Sequence, residues 1–151
     1  MIRKGSAADV PFMRSMLAHA YGWRVNALDA EIPLTRYTDN WGRAGDVALI
    51  AHETGNRVGG AWFRLFKATE PGYGFVDEQT PELSIAVVPS RRRHGLGQEL
   101  LDALVARAQA EGHAQVSLFV EQGSPAVAFY ERNGFERAGE SQGGLVMVRR
   151  L

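Results

Sequence analysis

A basic, glycine-rich stretch in the second half of the chain has residue types that suit an anion-binding loop. Its core is the pattern Arg92-x-x-Gly95-x-Gly97, and Arg91 and Arg93 add positive charge. Glycines allow the backbone to approach a ligand closely, and the N–H groups at the start of a helix can point together at one negatively charged group. A solvated basic turn without a ligand would use the same residues, so the pattern by itself is only moderately specific.

Two well-known phosphate-binding loops do not fit this stretch. It lacks the Gly-Lys-Ser/Thr sequence with which a Walker-type loop holds phosphate and Mg²⁺. The dinucleotide-binding fingerprint needs glycines at other spacings, inside a parallel β-α-β unit. The pattern therefore favours a pyrophosphate bound without a metal ion.

The segments around the loop predict a strand before it and a helix, a strand and a short helix after it. The apolar, β-branched run from Leu83 to Val88 is typical of a buried strand. After the loop, apolar residues recur at helical spacing until Gly112, where the helix should end. Gln115–Val120 predicts the next strand, and Ser124-Pro125 is typical of the start of a short helix.

The first half of the chain predicts an edge strand, a helix and a hairpin. Met1–Lys4 is the candidate edge strand, and Asp9 is the candidate N-cap of a helix that has a proline in its first turn. Two strands follow, joined by Glu53-Thr54-Gly55-Asn56, which is a hairpin signature. The Gly59-Gly60 pair in the second of them indicates a bulge or a close backbone contact.

The sequence also predicts the structure of three further segments. Ala27–Glu31 is a candidate helix, and residues 135–150 are a candidate hairpin around Ser141-Gln142-Gly143-Gly144. Lys67–Pro81 predicts a long loop, which is either a solvated hairpin tip or a rim over a substrate pocket.

Composition excludes several classes of function. The 151 residues are 45% hydrophobic and 23% charged, a globular balance that fits one domain spanning residues 1–151. Acidic and basic residues number 17 each, which argues against nucleic acid as the main partner. The absence of cysteine excludes a cysteine acyl-enzyme, and the four histidines are scattered, so no metal site is expected. With no membrane-spanning run and no signal-peptide core, we expect a soluble cytoplasmic protein.

The order of motifs from Glu82 to Phe135 resembles the GCN5-related N-acetyltransferase (GNAT) family. It consists of a strand, Arg-x-x-Gly-x-Gly, a helix, a strand, a short helix carrying Phe129-Tyr130, and then Gly134-Phe135. The resemblance implies an α/β (α+β mixed) fold with acetyl-CoA as cosubstrate and no metal. Its mixed, mostly antiparallel sheet has about six or seven strands, with about four helices around it. The sheet is splayed between its fourth and fifth strands, here Glu82–Val88 and Gln115–Val120.

The resemblance also assigns residues to the acetyl-CoA site. The backbone of the loop would bind the CoA pyrophosphate, which implicates Arg92, Arg93, His94, Gly95, Leu96 and Gly97. Val87 and Val88 would run beside the pantetheine arm, and one of their N–H groups would polarise the thioester carbonyl. Ser124 stands where many members of the family have an asparagine on that arm, although a helix-capping role also explains this serine.

The expected chemistry needs a base for the acceptor amine and an acid for the leaving thiolate. Tyr130 matches the tyrosine that serves as the acid in the family; the alternative is an aromatic that only packs the helix. Glu82 lies where some members place the base, and the alternative is an exposed residue before a strand. Glu31, Glu53, His52 and an ordered water are the other candidates for the base.

The function expected from this resemblance is direct transfer of an acetyl group from acetyl-CoA to a primary amine of a small molecule or peptide. The alternative is a non-catalytic acyl-CoA-binding or regulatory module of the same fold. A homodimer is expected from the resemblance, without a nucleic-acid or membrane partner. The acceptor would enter past aromatic side chains and be attracted by carboxylates; the candidates are Trp23, Trp41, Trp62, Tyr73, Phe75, Glu31, Asp77 and Glu78.

Overall fold

The strand and helix patterns of the sequence form seven strands and three α-helices in a computed structural model, which describes residues 1–21, 32–91 and 95–151. The strands are β1 (Ile2–Lys4), β2 (Val47–Glu53), β3 (Asn56–Arg64), β4 (Glu82–Val87), β5 (Gln115–Glu121), β6 (Glu136–Ser141) and β7 (Gly144–Arg150). The helices within the described ranges are α1 (Val10–Ala20), α2 (Leu96–Ala110) and α3 (Ala126–Arg132). The helix predicted at Ala27–Glu31 lies outside the described residues.

All seven strands belong to one sheet with the order β1-β2-β3-β4-β5-β7-β6. Every neighbouring pair is antiparallel except β4 and β5, which are parallel. β3 and β4 pair over six positions, whereas β4 and β5 share the single pair Glu82 and Ser117. The two strands therefore separate after their first residues, which confirms the predicted mixed sheet with its splay between the fourth and fifth strands.

The sheet separates two apolar layers, because side chains alternate between its faces. On one face, the buried stripe of α2 packs on β2, β3 and β4 through residues such as Leu100, Leu101 and Leu104. On the other face, Met13 and Leu17 of α1 pack among buried aromatic side chains. These aromatic residues are Tyr21, Tyr37, Trp62, Phe66, Tyr73 and Phe119.

Both predicted hairpins are confirmed. Thr54 and Gly55 form the two-residue turn between β2 and β3, and both have positive φ, as a tight hairpin turn requires. The pairing shifts between Ala51 and His52, so Val58, beside the Gly59-Gly60 pair, is the extra residue of a bulge. The C-terminal hairpin turns at Gln142 and Gly143.

Asp9 precedes α1, as predicted, but its side chain does not cap that helix. Ser6 caps a short 3₁₀ turn, Ala7–Asp9, and Asp9 completes a capping box by accepting from the Ser6 amide at 2.9 Å. The same buried carboxylate accepts from Arg3 at 2.7 and 2.9 Å and from Arg57 at 2.9 Å. Asp9 therefore ties the start of α1 to β1 and β3.

Asp9→Asn should destabilise the protein by about 2 kcal/mol at neutral pH, because charge-assisted hydrogen bonds are lost. The Arg3 hydrogen bond, together with those from Ser6 and Arg57, holds the pKa of Asp9 far below its usual range. A depressed pKa gives stability that is present above the unfolded pKa of about 3.9 and is lost as the pH falls below it. Urea unfolding should show that the difference between the two proteins shrinks toward about pH 2; a constant difference would contradict this account.

Candidate active site

A cleft opens where β4 and β5 separate. Its volume is about 300 Å³, and the residues around it include Tyr21 of the segment after α1, Ser84 of β4 and Tyr130 of α3. The remaining lining residues are His19, Ala20, Leu83, Ile85, Leu118, Phe119, Val120, Glu121, Ser124 and Ala126. Because β4 and β5 do not pair here, residues from both apolar layers line the cleft.

A groove of about 420 Å³ adjoins the cleft and runs along β4 toward the start of α2. Ile85 and Ala126 line both cavities, while Arg91 and Gly97 line the end near the glycine-rich loop. The cleft and groove together form an elongated site that ends at Arg91 and Gly97.

The backbone of β4 presents amides to this site. Val88 donates its N–H to the Val58 carbonyl at 2.9 Å, on the β3 side of the strand. Ladder amides alternate in direction, so the N–H groups of Ile85 and Val87 point toward the gap with β5. Of the two predicted valine amides, only that of Val87 has the orientation needed to face a ligand in the gap.

The start of α2 is open at its glycines. Gly95 has a φ of +81° and precedes the helix, and a Cβ atom at Gly95 or Gly97 would have no atom within 4 Å. The first hydrogen bond of the helix runs from the Glu99 amide to the Gly95 carbonyl. The N–H groups of residues 96–98 therefore have no partner within the helix. The Leu96 side chain is buried in the core, so only its backbone is available to a ligand. Arg92, Arg93 and His94 lie outside the described residues.

Tyr130 lies on α3 at the wall of the cleft. Its ring packs against Phe129 and Phe135 with centroids 5.3 and 5.6 Å away. Burial raises the pKa of its hydroxyl above the usual 10.0, so the group stays protonated at neutral pH. A protonated hydroxyl can donate a hydrogen bond or a proton.

Ser124 also lines the cleft, but it caps α3. Its Oγ accepts from the Ala126 amide at 3.1 Å, and its carbonyl accepts from Val127 at 3.1 Å. The helix start therefore accounts for this serine without a ligand.

Glu82 is a buried side chain, 1% exposed, and not the exposed residue of the alternative interpretation. Tyr37 donates its hydroxyl proton to Oε2. Oε1 is buried and has no partner at hydrogen-bonding geometry among the described residues. A nearby Gly74 amide favours the carboxylate, but it does not make a well-aligned bond. An under-satisfied carboxylate oxygen is suited to accept a proton.

The loop from Lys67 to Pro81 forms the wall around Glu82. A Cβ at Gly74 would lie 2.8 Å from the Leu118 backbone and 3.0 Å from Glu82 Cδ, so only glycine fits there. Ser117 of β5 donates to the Gly74 carbonyl at 2.7 Å and holds the loop in place. This part of the loop is packed against the sheet, unlike a solvated hairpin tip.

Burial raises the pKa of Glu82 from 4.5 to about 7, while the Tyr37 hydrogen bond opposes the rise. A carboxylate with that pKa is half ionised at neutral pH, which is the range in which a general base works well. The other candidates are engaged elsewhere: His52 accepts from Arg3 at 2.8 Å, and Glu53 pairs with Arg91 at 2.6 Å. Glu31 lies outside the described residues.

From the sequence, Tyr21 and Tyr37 are aromatic residues that either pack in the core or line a pocket, with core favoured, and no motif gives them a role in catalysis. Tyr37 lies in a 3₁₀ turn, Leu34–Tyr37, and is separated from Glu82 by 45 positions. Its one local signal is its place among several aromatic residues in a segment without clear periodicity, a pattern that core packing also produces.

Most of the residues predicted to guide the acceptor have other roles. Trp62 and Tyr73 are buried in the core, and Trp41 stacks on the Arg64 guanidinium at 5.1 Å. Asp77 accepts from the Gln79 amide, and Glu78 accepts from the Ala68 amide, so both carboxylates stabilise their own loop. Trp23 lies outside the described residues.

Comparison with known proteins gives the family. Residues 11–135 match the model of the acetyltransferase (GNAT) family. This chain belongs to the GNAT acetyltransferase family, as its motifs predicted. Among the helices of the described ranges, none is long and apolar enough to cross a membrane.

Individual relatives agree with this assignment. L-methionine sulfoximine/L-methionine sulfone acetyltransferase of Pseudomonas aeruginosa is 30% identical over 145 residues, which are 92% of this chain and 81% of that protein. A ribosomal-protein-alanine N-acetyltransferase from Brucella melitensis has a TM-score of 0.73 and 27% identity over 100% of this chain and 99% of its own. A phosphinothricin acetyltransferase from Sinorhizobium meliloti, in complex with acetyl-CoA, has a TM-score of 0.68 and 22% identity, and the match covers 100% of this chain and 88% of that chain. At that identity, the last comparison concerns the fold alone.

Proposed function

We propose that this protein is an acetyl-CoA-dependent N-acetyltransferase that acts on a primary amine of a small molecule or peptide by direct attack. The observation that carries the proposal is the cleft between β4 and β5, with a protonated tyrosine on its wall and a carboxylate of pKa about 7 behind it. Amine acylation requires an acid and a base, here an acid on the wall of the opening and a base behind it.

Acetyl-CoA would supply an activated acyl thioester in the groove. The backbone from Arg92 to Gly97, with the side chains of Arg92, Arg93 and His94, would bind its pyrophosphate at the positive end of α2. Val87 would orient the acyl carbonyl through its amide, while Val88 and Ser124 would border the pantetheine arm. The fit is supported by the open backbone at Gly95 and Gly97, since Gly97 lines the end of the groove.

In the transfer, Glu82 would accept the proton of the acceptor ammonium, which leaves the amine nitrogen a free electron pair for attack. Tyr130 would donate its hydroxyl proton to the departing sulfur. The chain contains no cysteine, so a cysteine acyl-enzyme is impossible, and the acyl group would pass directly between the two substrates.

The names of the relatives supply the first panel of acceptors: L-methionine sulfoximine, L-methionine sulfone, phosphinothricin and a peptide with an N-terminal alanine. Release of free thiol from acetyl-CoA with each acceptor measures turnover. Turnover with any of them supports the enzyme. Tight binding of acetyl-CoA without turnover on a wider panel of amines would instead support the non-catalytic binding module.

Tyr130→Phe should lower kcat by about 100-fold while the Kd for acetyl-CoA stays within about twofold of the wild type. The substitution keeps the ring that packs on Phe129 and Phe135 and removes only the proton donor. Calorimetric titration with acetyl-CoA measures the affinity, and thiol release measures kcat. An unchanged kcat would remove Tyr130 from the mechanism.

A further inference from the structure

Glu82 is separated from the substrate cleft. Its side chain is 1% exposed and is not among the residues that line the cleft, while Tyr21 and Ser84 are. A base has to lie within hydrogen-bond reach of the proton that it removes, or be linked to it by a group that can pass the proton on. The residues between Glu82 and the cleft therefore decide how the base could act.

Two tyrosines connect Glu82 to the cleft through successive contacts. Tyr37 is buried, donates to Glu82 Oε2 and accepts from the Tyr73 amide at 2.8 Å. Its ring lies 5.5 Å from that of Tyr21, which lines the cleft. A tyrosine hydroxyl has one proton and two acceptor positions, so Tyr37 can accept from both the Tyr73 amide and Tyr21 while it donates to Glu82.

The electrostatics of Tyr21 agree with this chain of contacts. Burial raises the pKa of Tyr21 well above 10, the charge of Glu82 adds to the rise, and hydrogen-bonding interactions with Tyr37 and Ser84 oppose it. Ser84 Oγ has no hydrogen-bond partner in the described part of the chain. The ring contact between Tyr21 and Tyr37, with centroids 5.5 Å apart, is the link that leads on to Glu82.

We infer that Tyr21 and Tyr37 form a hydroxyl relay that carries the acceptor's proton from the cleft to Glu82. This inference rests on the proposed function. The ammonium N–H bond breaks as its proton passes to the Tyr21 oxygen. The Tyr21 hydroxyl proton passes to Tyr37, and the Tyr37 proton passes to Glu82 Oε2. Each tyrosine ends with one proton, Glu82 ends as a carboxylic acid, and the amine keeps its electron pair.

The transfer must be concerted. Burial, aided by the charge of Glu82, keeps the pKa of both tyrosines well above 10, so neither hydroxyl ionises by itself at neutral pH. Among the described residues, the titratable and charged groups that face Glu82 are these two tyrosines and Arg64, its cross-strand neighbour on β3. Arg64 is turned toward Asp46, so it does not compete for the carboxylate.

The connection can be tested without a substrate, because the chain has four tyrosines and each ring-carbon NMR signal can be assigned by one Tyr→Phe variant. In protein labelled with ¹³C at tyrosine Cζ, the signals of Tyr21 and Tyr37 should both shift with one midpoint near the Glu82 pKa of about 7. The signal of Tyr130, whose raised pKa results from burial alone, should move least. In Glu82→Gln the shared midpoint should disappear. A Tyr21 signal that does not change with pH around the Glu82 midpoint would overturn the relay.

The kinetic arm uses L-methionine sulfone as the acceptor. Tyr21→Phe and Tyr37→Phe should each lower kcat by about 10-fold or more, and the double variant should be no slower than the slower single variant, because both break one relay. Tyr73→Phe is the matched control: it also removes a buried hydroxyl bond, 3.0 Å to the Ile32 carbonyl. Equal kcat values for Tyr21→Phe and Tyr73→Phe would overturn the relay.

The kinetic arm also separates this inference from the proposed function. Full activity of Glu82→Gln would refute the base assignment itself. Loss of activity in Glu82→Gln with normal kcat in Tyr21→Phe would leave the base in place and refute only the relay. If the wild type turns over no amine in the panel, the proposed enzyme fails, while the NMR titration still decides whether the hydroxyls are connected.

Discussion

Glu82→Gln should lower kcat/KM by about 100- to 10,000-fold at neutral pH, the range expected for loss of a positioned general base. Glutamine keeps the size of the side chain and can still accept from Tyr37, so the environment of the site is preserved. What it cannot do is take up a proton. Thiol release over a series of acceptor concentrations gives kcat/KM directly.

The pH profile makes the test specific. A base works when it is ionised, so wild-type kcat/KM should rise with pH and level off above the Glu82 pKa of about 7. This acidic limb should be absent in Glu82→Gln. A limb that persists in the variant would mean that another group is the base.

Stability separates this effect from misfolding. Because the Glu82 pKa is raised in the folded state, its carboxylate costs stability at pH values above the unfolded pKa of about 4.3. Glu82→Gln should therefore unfold at the same temperature as the wild type, or a higher one, near pH 8. Glu111→Gln, at the end of α2 and paired with Arg107 at 3.3 Å, is the matched control and should change neither the limb nor kcat/KM appreciably.

Asp46→Asn should lower the free energy of unfolding by about 3 kcal/mol or more, because it leaves a buried guanidinium without a counter-charge. Arg64 and Asp46 are 1% and 2% exposed and meet through two parallel hydrogen bonds of 2.9 and 2.8 Å. Urea unfolding measures the change. A loss below about 1 kcal/mol would contradict a buried, mutually dependent pair.

An exposed pair provides the control for Asp46→Asn. Arg14 and Asp39 lie 3.1 Å apart with about half of each side chain exposed, 50% and 51%, so Asp39→Asn should cost less than about 1 kcal/mol. The double variant Arg64→Met/Asp46→Leu removes both buried charges and should be more stable than Asp46→Asn alone. That order would show that the unpaired charge, and not the altered packing, causes the loss.

The Arg64–Asp46 pair also supports the site. Arg64 donates to the Arg36 carbonyl at 3.0 Å, and the Arg36 guanidinium donates to the Pro71 carbonyl at 2.7 Å. These bonds fix the position of Arg36, which precedes Tyr37, and of Pro71, which precedes Gly72. Asp46→Asn should therefore lower kcat as well as stability, since a base displaced by even a small distance loses its alignment.

Much of the fold could be predicted from local patterns. The glycine-rich loop, the stripe from Leu96 to Ala108 and the turn at Thr54-Gly55 each depend on residues close together in the sequence, which is why periodicity and turn chemistry identified them. Asp9 shows the limit of such reasoning. It has the position of a helix cap, but Arg3 and Arg57 bind its carboxylate, and only the folded chain brings them together.

The residues of the site also fall into those that a local motif predicted and those that only long-range contacts define. Tyr130 was predicted from a motif, and the structure places it at the cleft. Tyr37 and Tyr21 had no motif, because their proposed roles depend on contacts between distant segments, Tyr37 with Glu82 and Tyr21 with Tyr37. The position of β7 between β5 and β6 was likewise a long-range choice that the hairpin pattern left open.

The sequence alone determined the order of the described elements, the family and the position of the glycine-rich loop that we propose for the donor's anion, because residues within about one turn or one strand of each other specify those features. The tertiary structure decided the state of Glu82. A glutamate at the start of a strand has an ordinary pKa if it is exposed. Here the wall at Gly74 and the other segments packed around Glu82 remove it from water and raise its pKa to about 7, while the Tyr37 hydrogen bond opposes the rise. Desolvation depends on everything that surrounds a group, so it becomes defined only when distant segments meet.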